Sequence, residues 1–184
     1  MPSTLGSSFF QKDETYVHLK QKIRLQIWDT AGQEKYRSVN KLFYSEANII
    51  IFVYDITRRE TFEEIKNYWV KQVEEFSPEN SLKVIVGNKI DLYEFEDIPE
   101  EEILEYAKEN NFLFYKTSAK RATGVNQLFH QVGKKLLLNL NEEDVDIDNL
   151  TESTITKKSK MKDSMLLTSK LSIRTMKQSK RTCC

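Results

Sequence analysis

The 184-residue chain is 39% hydrophobic and 30% charged, with 28 Lys and Arg against 28 Asp and Glu, which fits one domain of ordinary soluble composition with room for a tail. The zero net charge hides a split: residues 153–184 hold nine Lys and Arg against Asp163 alone, a net of +8, so residues 1–152 carry −8, and a basic tail of this kind suits an anionic partner. The only cysteines, Cys183 and Cys184, are adjacent, which excludes a stapling disulfide and makes a poor structural zinc site, and no apolar run approaches the ~20 residues of a membrane span.

Met1-Pro2-Ser3-Thr4 lacks the basic start and apolar run of a signal peptide, so a cytosolic chain is expected. Tyr16-Val17-His18-Leu19 is expected to pair with Ile23-Arg24-Leu25-Gln26-Ile27 as a hairpin turning at Lys20-Gln21-Lys22. The second of these segments alternates apolar and polar residues, as a half-buried strand does. Residues 49–54 are a continuous β-branched and aromatic run and Leu82-Lys83-Val84-Ile85-Val86-Gly87 is a second β-branched stretch, the pattern of strands buried on both faces of a parallel sheet. Phe112-Leu113-Phe114-Tyr115 is a shorter strand candidate.

Helical spacing lies between the strands. Phe62, Ile65, Trp69, Val73 and Phe76 recur every three or four residues. Pro99 and the acids Glu100, Glu101 and Glu102 suit the start of a helix through residue 109. Val125, Leu128, Phe129, Val132, Leu136, Leu137 and Leu140 make the apolar face of a last helix. Strand–helix alternation predicts an α/β, doubly wound, mostly parallel sheet. Periodicity fades near Asn141, so residues 1–140 read as the domain and residues 141–184 as a disordered tail. Within that tail Leu166, Leu167, Leu171 and Ile173 are loosely spaced for a short amphipathic contact.

Three strings carry chemistry. Asp29-Thr30-Ala31-Gly32-Gln33-Glu34 follows the first clear strand, and ligands of α/β sheets sit beyond the carboxyl ends of strands. Asp29 is placed to hold Mg²⁺ through water, Gly32 to bring its backbone N–H close to a phosphate, and Gln33 to orient an attacking water. Asn88-Lys89-Ile90-Asp91 follows the strand through 82–87. A carboxylate at Asp91 accepts both N1–H and N2–H of guanine, a pair of donors that adenine lacks. Lys89 is placed along the base plane and Asn88 to tie loops together. Thr117-Ser118-Ala119-Lys120 follows the last strand; there the Ala119 N–H is placed to meet guanine O6 and the Lys120 stem to cover the base. Any one of these strings alone is weak, and the three in order are strong.

With Trp28 before Asp29, the run W-D-T-A-G-Q-E resembles that of Rab-type small GTPases of the Ras superfamily, and residues 2–9 resemble switch I of the endosomal Rabs close to Rab5, Rab21 and Rab22. The resemblance implies a P-loop NTPase-like fold and a GTP-binding, GTP-hydrolysing switch in vesicle trafficking, using GTP/GDP and Mg²⁺. It makes Thr4 the switch I threonine and second protein group near Mg²⁺, and places Phe9, Trp28 and Phe43 on the effector-facing aromatic triad. It makes Cys183 and Cys184 sites of double geranylgeranylation, consistent with the need for two signals for stable anchoring. The implied partners are effectors, an exchange factor, a GTPase-activating protein, Rab escort protein, GDP-dissociation inhibitor and the cytosolic face of an endosomal membrane. No nucleic acid is expected. His18 and His130 are isolated and read as structural or surface residues.

One motif is missing. The phosphate cradle G-x-x-x-x-G-K-[ST] occurs nowhere in the 184 residues, and in the family it carries most of the phosphate binding. The sheet is accordingly expected to be incomplete, without the first strand, P-loop and first helix. The strands at 23–27 and 49–54 would then pair across a gap or leave buried backbone groups unpaired, at about 1–3 kcal/mol each. An incomplete copy of a working Rab is the expected origin, because Thr4, Asp29, Gln33, Asn88, Asp91 and the terminal cysteines are all retained. The alternative is a prenylated adaptor or inactive fragment that binds no nucleotide.

Overall fold

The computed structural model describes residues 8–30, 44–148 and 169–177, with side chains over 9–29 and 44–140. Strand β1 (Ser8–Tyr16) turns through a 3-10 segment, Val17–Leu19, into β2 (Gln21–Thr30). Then come β3 (Ile49–Asp55), helix α1, β4 (Leu82–Asn88), a 3-10 stretch Ile90–Phe95, helix α2 (Glu100–Glu109), β5 (Leu113–Thr117), helix α3 (Val125–Asp148) and β6 (Ser169–Lys177). Helix α1 is built of Arg59–Glu64, a π-helical turn Ile65–Trp69, and Val70–Phe76.

The six strands form one sheet in the order β1-β2-β6-β3-β4-β5. Only β1 is antiparallel to its neighbour; every other pairing is parallel. The carboxyl ends of β2 through β6 therefore share one edge of the sheet. β3 is buried along most of its length, and its alternate residues feed two cores. Ile49 and Ile51 join Ile23, Leu25, Val84 and Val86 beneath Leu128, Val132 and Leu136 of α3. Ile50, Phe52 and Tyr54 join Phe62, Ile65, Trp69 and Val73 of α1 with Ile103 and Ala107 of α2. The result is an α/β sandwich with helices on both faces, as the strand–helix alternation predicts.

Two local readings are corrected. The first strand of the hairpin ends at Tyr16 rather than beginning there, and the turn is Val17–Lys20, closed by Lys20 N–H on the Val17 carbonyl at 3.1 Å with Lys20 in the left-handed region at φ 51°. Helix α3 continues to Asp148, past the point where apolar spacing fades. Residues 169–177 form a strand in the middle of the sheet. β2 and β3 do not pair with each other across a gap; β6 lies between them and bonds to both.

Candidate functional site

The shared carboxyl edge gathers the motif residues. Asp29, the penultimate residue of β2, lies in register with Ser8 on one side and Thr175 on the other. Asp55 ends β3 and pairs in register with Asn88 at the end of β4, which pairs with Thr117 at the end of β5. Two tight loops follow β4 and β5. After β4, Lys89 adopts the left-handed region at φ 72° and the chain enters the 3-10 stretch. After β5, Ser118 and Thr123 exchange backbone hydrogen bonds of 2.9 and 3.1 Å, which cinches residues 119–122 into a closed loop. Gly124 lets α3 begin there: its φ is +73°, and a Cβ would stand 2.6 Å from the Lys116 carbonyl oxygen.

Asn88 fastens the two loops. Its side-chain oxygen accepts the Ala119 N–H at 3.0 Å and the Thr117 hydroxyl at 3.3 Å. Its main-chain carbonyl accepts the Ile56 N–H at 3.1 Å, which ties in the exit from β3. Across the same seam the Ser118 hydroxyl donates to Asp91 Oδ1 at 2.5 Å, while Ser118 Oγ accepts the Arg121 N–H at 3.1 Å. Ser118 is fully buried. The Ser118 hydrogen bond, aided by the positive charges of Lys120 and Arg121, outweighs desolvation and holds Asp91 below the usual carboxylate range. An ionised carboxylate with fixed orientation is what two guanine N–H donors need.

Lys89 is held by a partner that sequence reasoning missed. Its ammonium pairs with the Asp55 carboxylate. Asp55 also accepts the Thr57 N–H at 3.1 Å and the Thr57 hydroxyl at 2.7 Å. Burial pushes Asp55 up, but the bonds from Lys89 and Thr57 outweigh it and leave the carboxyl below its ordinary value. The available signal was positional: an acid closing a buried strand, at the edge where the other motif residues sit. Ser118 was named for its place in a motif, whereas its hydroxyl acts directly on Asp91.

On the hairpin at the other side of the sheet, the Phe9 and Trp28 rings lie 4.7 Å apart, tilted by 48°. Phe9 is exposed and Trp28 half-buried. Thr4, Gly32, Gln33, Phe43, Cys183 and Cys184 lie outside the described residues. Among the described residues no group of three His, Cys, Asp or Glu is arranged to hold a metal, and no helix is long and apolar enough to cross a membrane. Mg²⁺ needs no such cluster, because it is commonly held by one or two carboxylates together with phosphate and water.

A doubly wound sheet with two hydrogen-bonded loops side by side at its carboxyl edge fits a small G-protein domain, and residues 1–138 match the Ras family. The chain belongs to that family. Within it, the chain belongs with the Rab proteins of the Rab5 and Rab22 group. It is 40% identical over 135 residues to Ras-related protein Rab5A of Oryza sativa subsp. japonica, covering 73% of this chain and 65% of that protein. It is 38% identical over 133 residues to Ras-related protein Rab-22A of Homo sapiens, covering 72% and 67%. It is 41% identical over 137 residues to GTP-binding protein ypt5 of Schizosaccharomyces pombe, covering 74% and 64%. The chain thus spans about two thirds of the length of the curated relatives it matches.

Proposed function

We propose that this chain is a Rab-type guanine-nucleotide switch acting in vesicle traffic at endosomal membranes. The observation that carries the reading is the base-reading pair of loops, with Asp91 ionised and fixed by Ser118. In this reading Asp91 receives guanine N1–H and N2–H, and Lys89, held by Asp55, lies along one face of the base with Lys120 on the other. The Ala119 N–H, which donates to Asn88 Oδ1, is shared with guanine O6. A bound triphosphate supplies the bond that is hydrolysed and Mg²⁺ neutralises its charge; Asp29 and Thr4 hold the ion, Gly32 meets the terminal phosphate and Gln33 orients water. Phe9, Trp28 and Phe43 form the surface read by effectors. Cys183 and Cys184 take geranylgeranyl groups with the help of escort protein, and GDP-dissociation inhibitor extracts the lipidated form. An exchange factor and a GTPase-activating protein act on the switch segments.

Titration of the 184-residue chain with fluorescent GDP and fluorescent ADP tests this. Without a G-x-x-x-x-G-K-[ST] string among these residues, GDP is expected to bind no tighter than about micromolar, with clear preference over ADP. Equal binding of the two bases overturns the guanine-reading assignment. Nanomolar, Mg²⁺-dependent GDP binding overturns the account of the phosphate grip. Absence of the cradle string also favours a second reading, a prenylated adaptor that holds Rab partners without nucleotide. That reading is supported if escort protein binds the chain equally well with and without GDP.

A further inference from the structure

Tyr93 and Phe95 are the most exposed aromatic side chains among the described residues. They stand on the 3-10 stretch Ile90–Phe95 and keep 67% and 68% of their surface in water. Leu92 beside them is exposed as well. Rings of this size dominate cores and interfaces, and a cluster of large apolar groups left in water marks an interaction surface. The stretch that carries them is braced. Leu92 N–H donates to the Lys89 carbonyl at 2.8 Å, Glu96 N–H to the Tyr93 carbonyl at 3.1 Å and Asp97 N–H to the Ile56 carbonyl at 2.8 Å. Ile98 then enters the core that holds α1 and α2. Lys116 spans Glu96 at 3.0 Å and Glu100 at 2.8 Å, which fastens the end of the stretch to the first turn of α2. The rings are held outward by a fixed backbone, and a surface fixed in advance costs less to order on binding.

The surroundings of the rings are acidic. Residues 92–105 hold seven Asp and Glu and no Lys, Arg or His. Lys116 answers Glu96 and Glu100, and Arg59 answers Glu102 through two bonds of 2.9 Å. Glu94, between the two rings, and Glu101, next to the clamped Glu100, form no ion pair among the described residues. Apolar rings beside unanswered carboxylates define the chemistry of an occupant. The acids repel an anionic lipid surface and a nucleic acid alike. A second copy presenting the same face would set acid against acid. A cationic segment that also carries apolar side chains satisfies both features.

We propose that Leu92, Tyr93 and Phe95, with Glu94 and Glu101, form a docking surface for a basic, apolar-bearing segment of a partner protein. The docking requires no nucleotide, so it stands or falls apart from the guanine reading. Fluorescence anisotropy on the full chain tests it with a labelled amphipathic probe peptide of leucine and lysine, about 14 residues long so that it can form a helix. The probe is expected to bind roughly tenfold more tightly than the same peptide with every lysine replaced by glutamate, or with every leucine replaced by glycine. Joint replacement Tyr93→Ser and Phe95→Ser is expected to weaken binding at least about fivefold. Joint replacement Glu94→Gln and Glu101→Gln is expected to weaken it about threefold and to reduce its salt dependence between about 50 and 200 mM. Val17→Ser, at an apolar position 77% exposed on the hairpin, is expected to change nothing.

Unchanged affinity in the two joint variants overturns the proposal, and equal binding of the glutamate peptide does the same. Should the aromatic variant fail to fold, the glutamate-to-glutamine variant decides alone. A synthetic peptide of residues 156–168, itself basic, that displaces the probe with equal affinity assigns the surface to the chain's own tail and overturns the partner assignment. Co-sedimentation with phosphatidylcholine vesicles that the aromatic variant abolishes assigns it to a membrane and overturns it likewise.

Discussion

Asp91 and Ser118 stand 27 positions apart in sequence, on loops after different strands, and their side chains meet at 2.5 Å. The hydroxyl that fixes the carboxylate is itself fixed, because its oxygen takes the Arg121 N–H at 3.1 Å. Asp91 is therefore oriented by the closed loop after β5 and not by its own loop alone.

Removing that hydroxyl tests the coupling. Ser118→Ala keeps the backbone exchange with Thr123 but releases Asp91. A hydrogen bond to a charged group is stronger than a neutral one, so fluorescent GDP is expected to bind roughly tenfold more weakly, with the preference over ADP reduced. Equilibrium titration of the variant beside the parent measures both, and an unchanged base preference would show that Asp91 holds its place without Ser118.

Lys89 and Asp55 invite a second comparison. Asp55 serves two partners, the Lys89 ammonium and the Thr57 backbone and hydroxyl. Asp55→Asn keeps an acceptor for Thr57 and removes the charge that faces Lys89. Asp55→Ala removes both, leaving Thr57 N–H without its partner, at a cost of about 1–3 kcal/mol. In urea unfolding Ala is expected to cost clearly more than Asn, whereas both should weaken nucleotide binding alike. Equal stability losses would place the whole effect on the ion pair.

What could be read in advance follows from how much of each element's signal is its own. β3 and β4 announce themselves because burial on both faces demands apolar runs, and 49–54 and 84–87 have them. β1 is an edge strand on which only Glu14 and Tyr16 are buried among its described side chains, so its sequence shows little alternation, while Val17 and Leu19 mimic a strand and form the turn. β6 was read as tether because five of its nine residues are Lys, Arg or Ser; its strand character comes from the two edges it joins, which lie some 140 residues earlier for β2 and some 120 for β3. The motif residues were legible as strings. The Asp55–Lys89 pair was not, since it joins residues 34 apart through space alone.

Glu14 should give the hairpin a pH signature. It is a buried acid on β1 that receives Lys12 Nζ at 2.8 Å and faces His130 Nδ1 of α3 at 3.0 Å. Burial raises its pKa, and the bonds from Lys12 and His130 outweigh burial, leaving it below the ordinary 4.5. A carboxyl depressed in the folded state stabilises fully above its unfolded value and loses that contribution as pH falls through the folded one. Glu14→Gln is expected to flatten the acid limb of stability below about pH 4.5, by up to about 1 kcal/mol since both partners keep contact with water. Urea midpoints from pH 3 to pH 7 measure it, and parallel acid limbs in the two proteins would exclude Glu14 as a contributor.

Gly133 marks where α3 touches the hairpin most closely. A Cβ there would stand 2.3 Å from Tyr16 Oη and 3.0 Å from Ile23 Cδ1. The phenol cannot simply swing away, because its hydroxyl donates to the His130 carbonyl at 2.9 Å and its ring stacks on the His130 ring at 4.7 Å. Gly133→Ala gains helix propensity of up to about 1 kcal/mol but overpacks the seam, at about 1–3 kcal/mol, so a net loss of stability is expected. Tyr16→Phe removes the oxygen that meets the new methyl, leaving the ring carbon Cζ at 3.4 Å. In the Tyr16→Phe background, Gly133→Ala should therefore cost less than it does alone, a favourable coupling of at least about 0.5 kcal/mol. Four urea titrations complete the cycle. Strict additivity would mean that Ile23 or the helix itself yields to the methyl, and that the Tyr16 hydroxyl does not set the distance between α3 and the sheet.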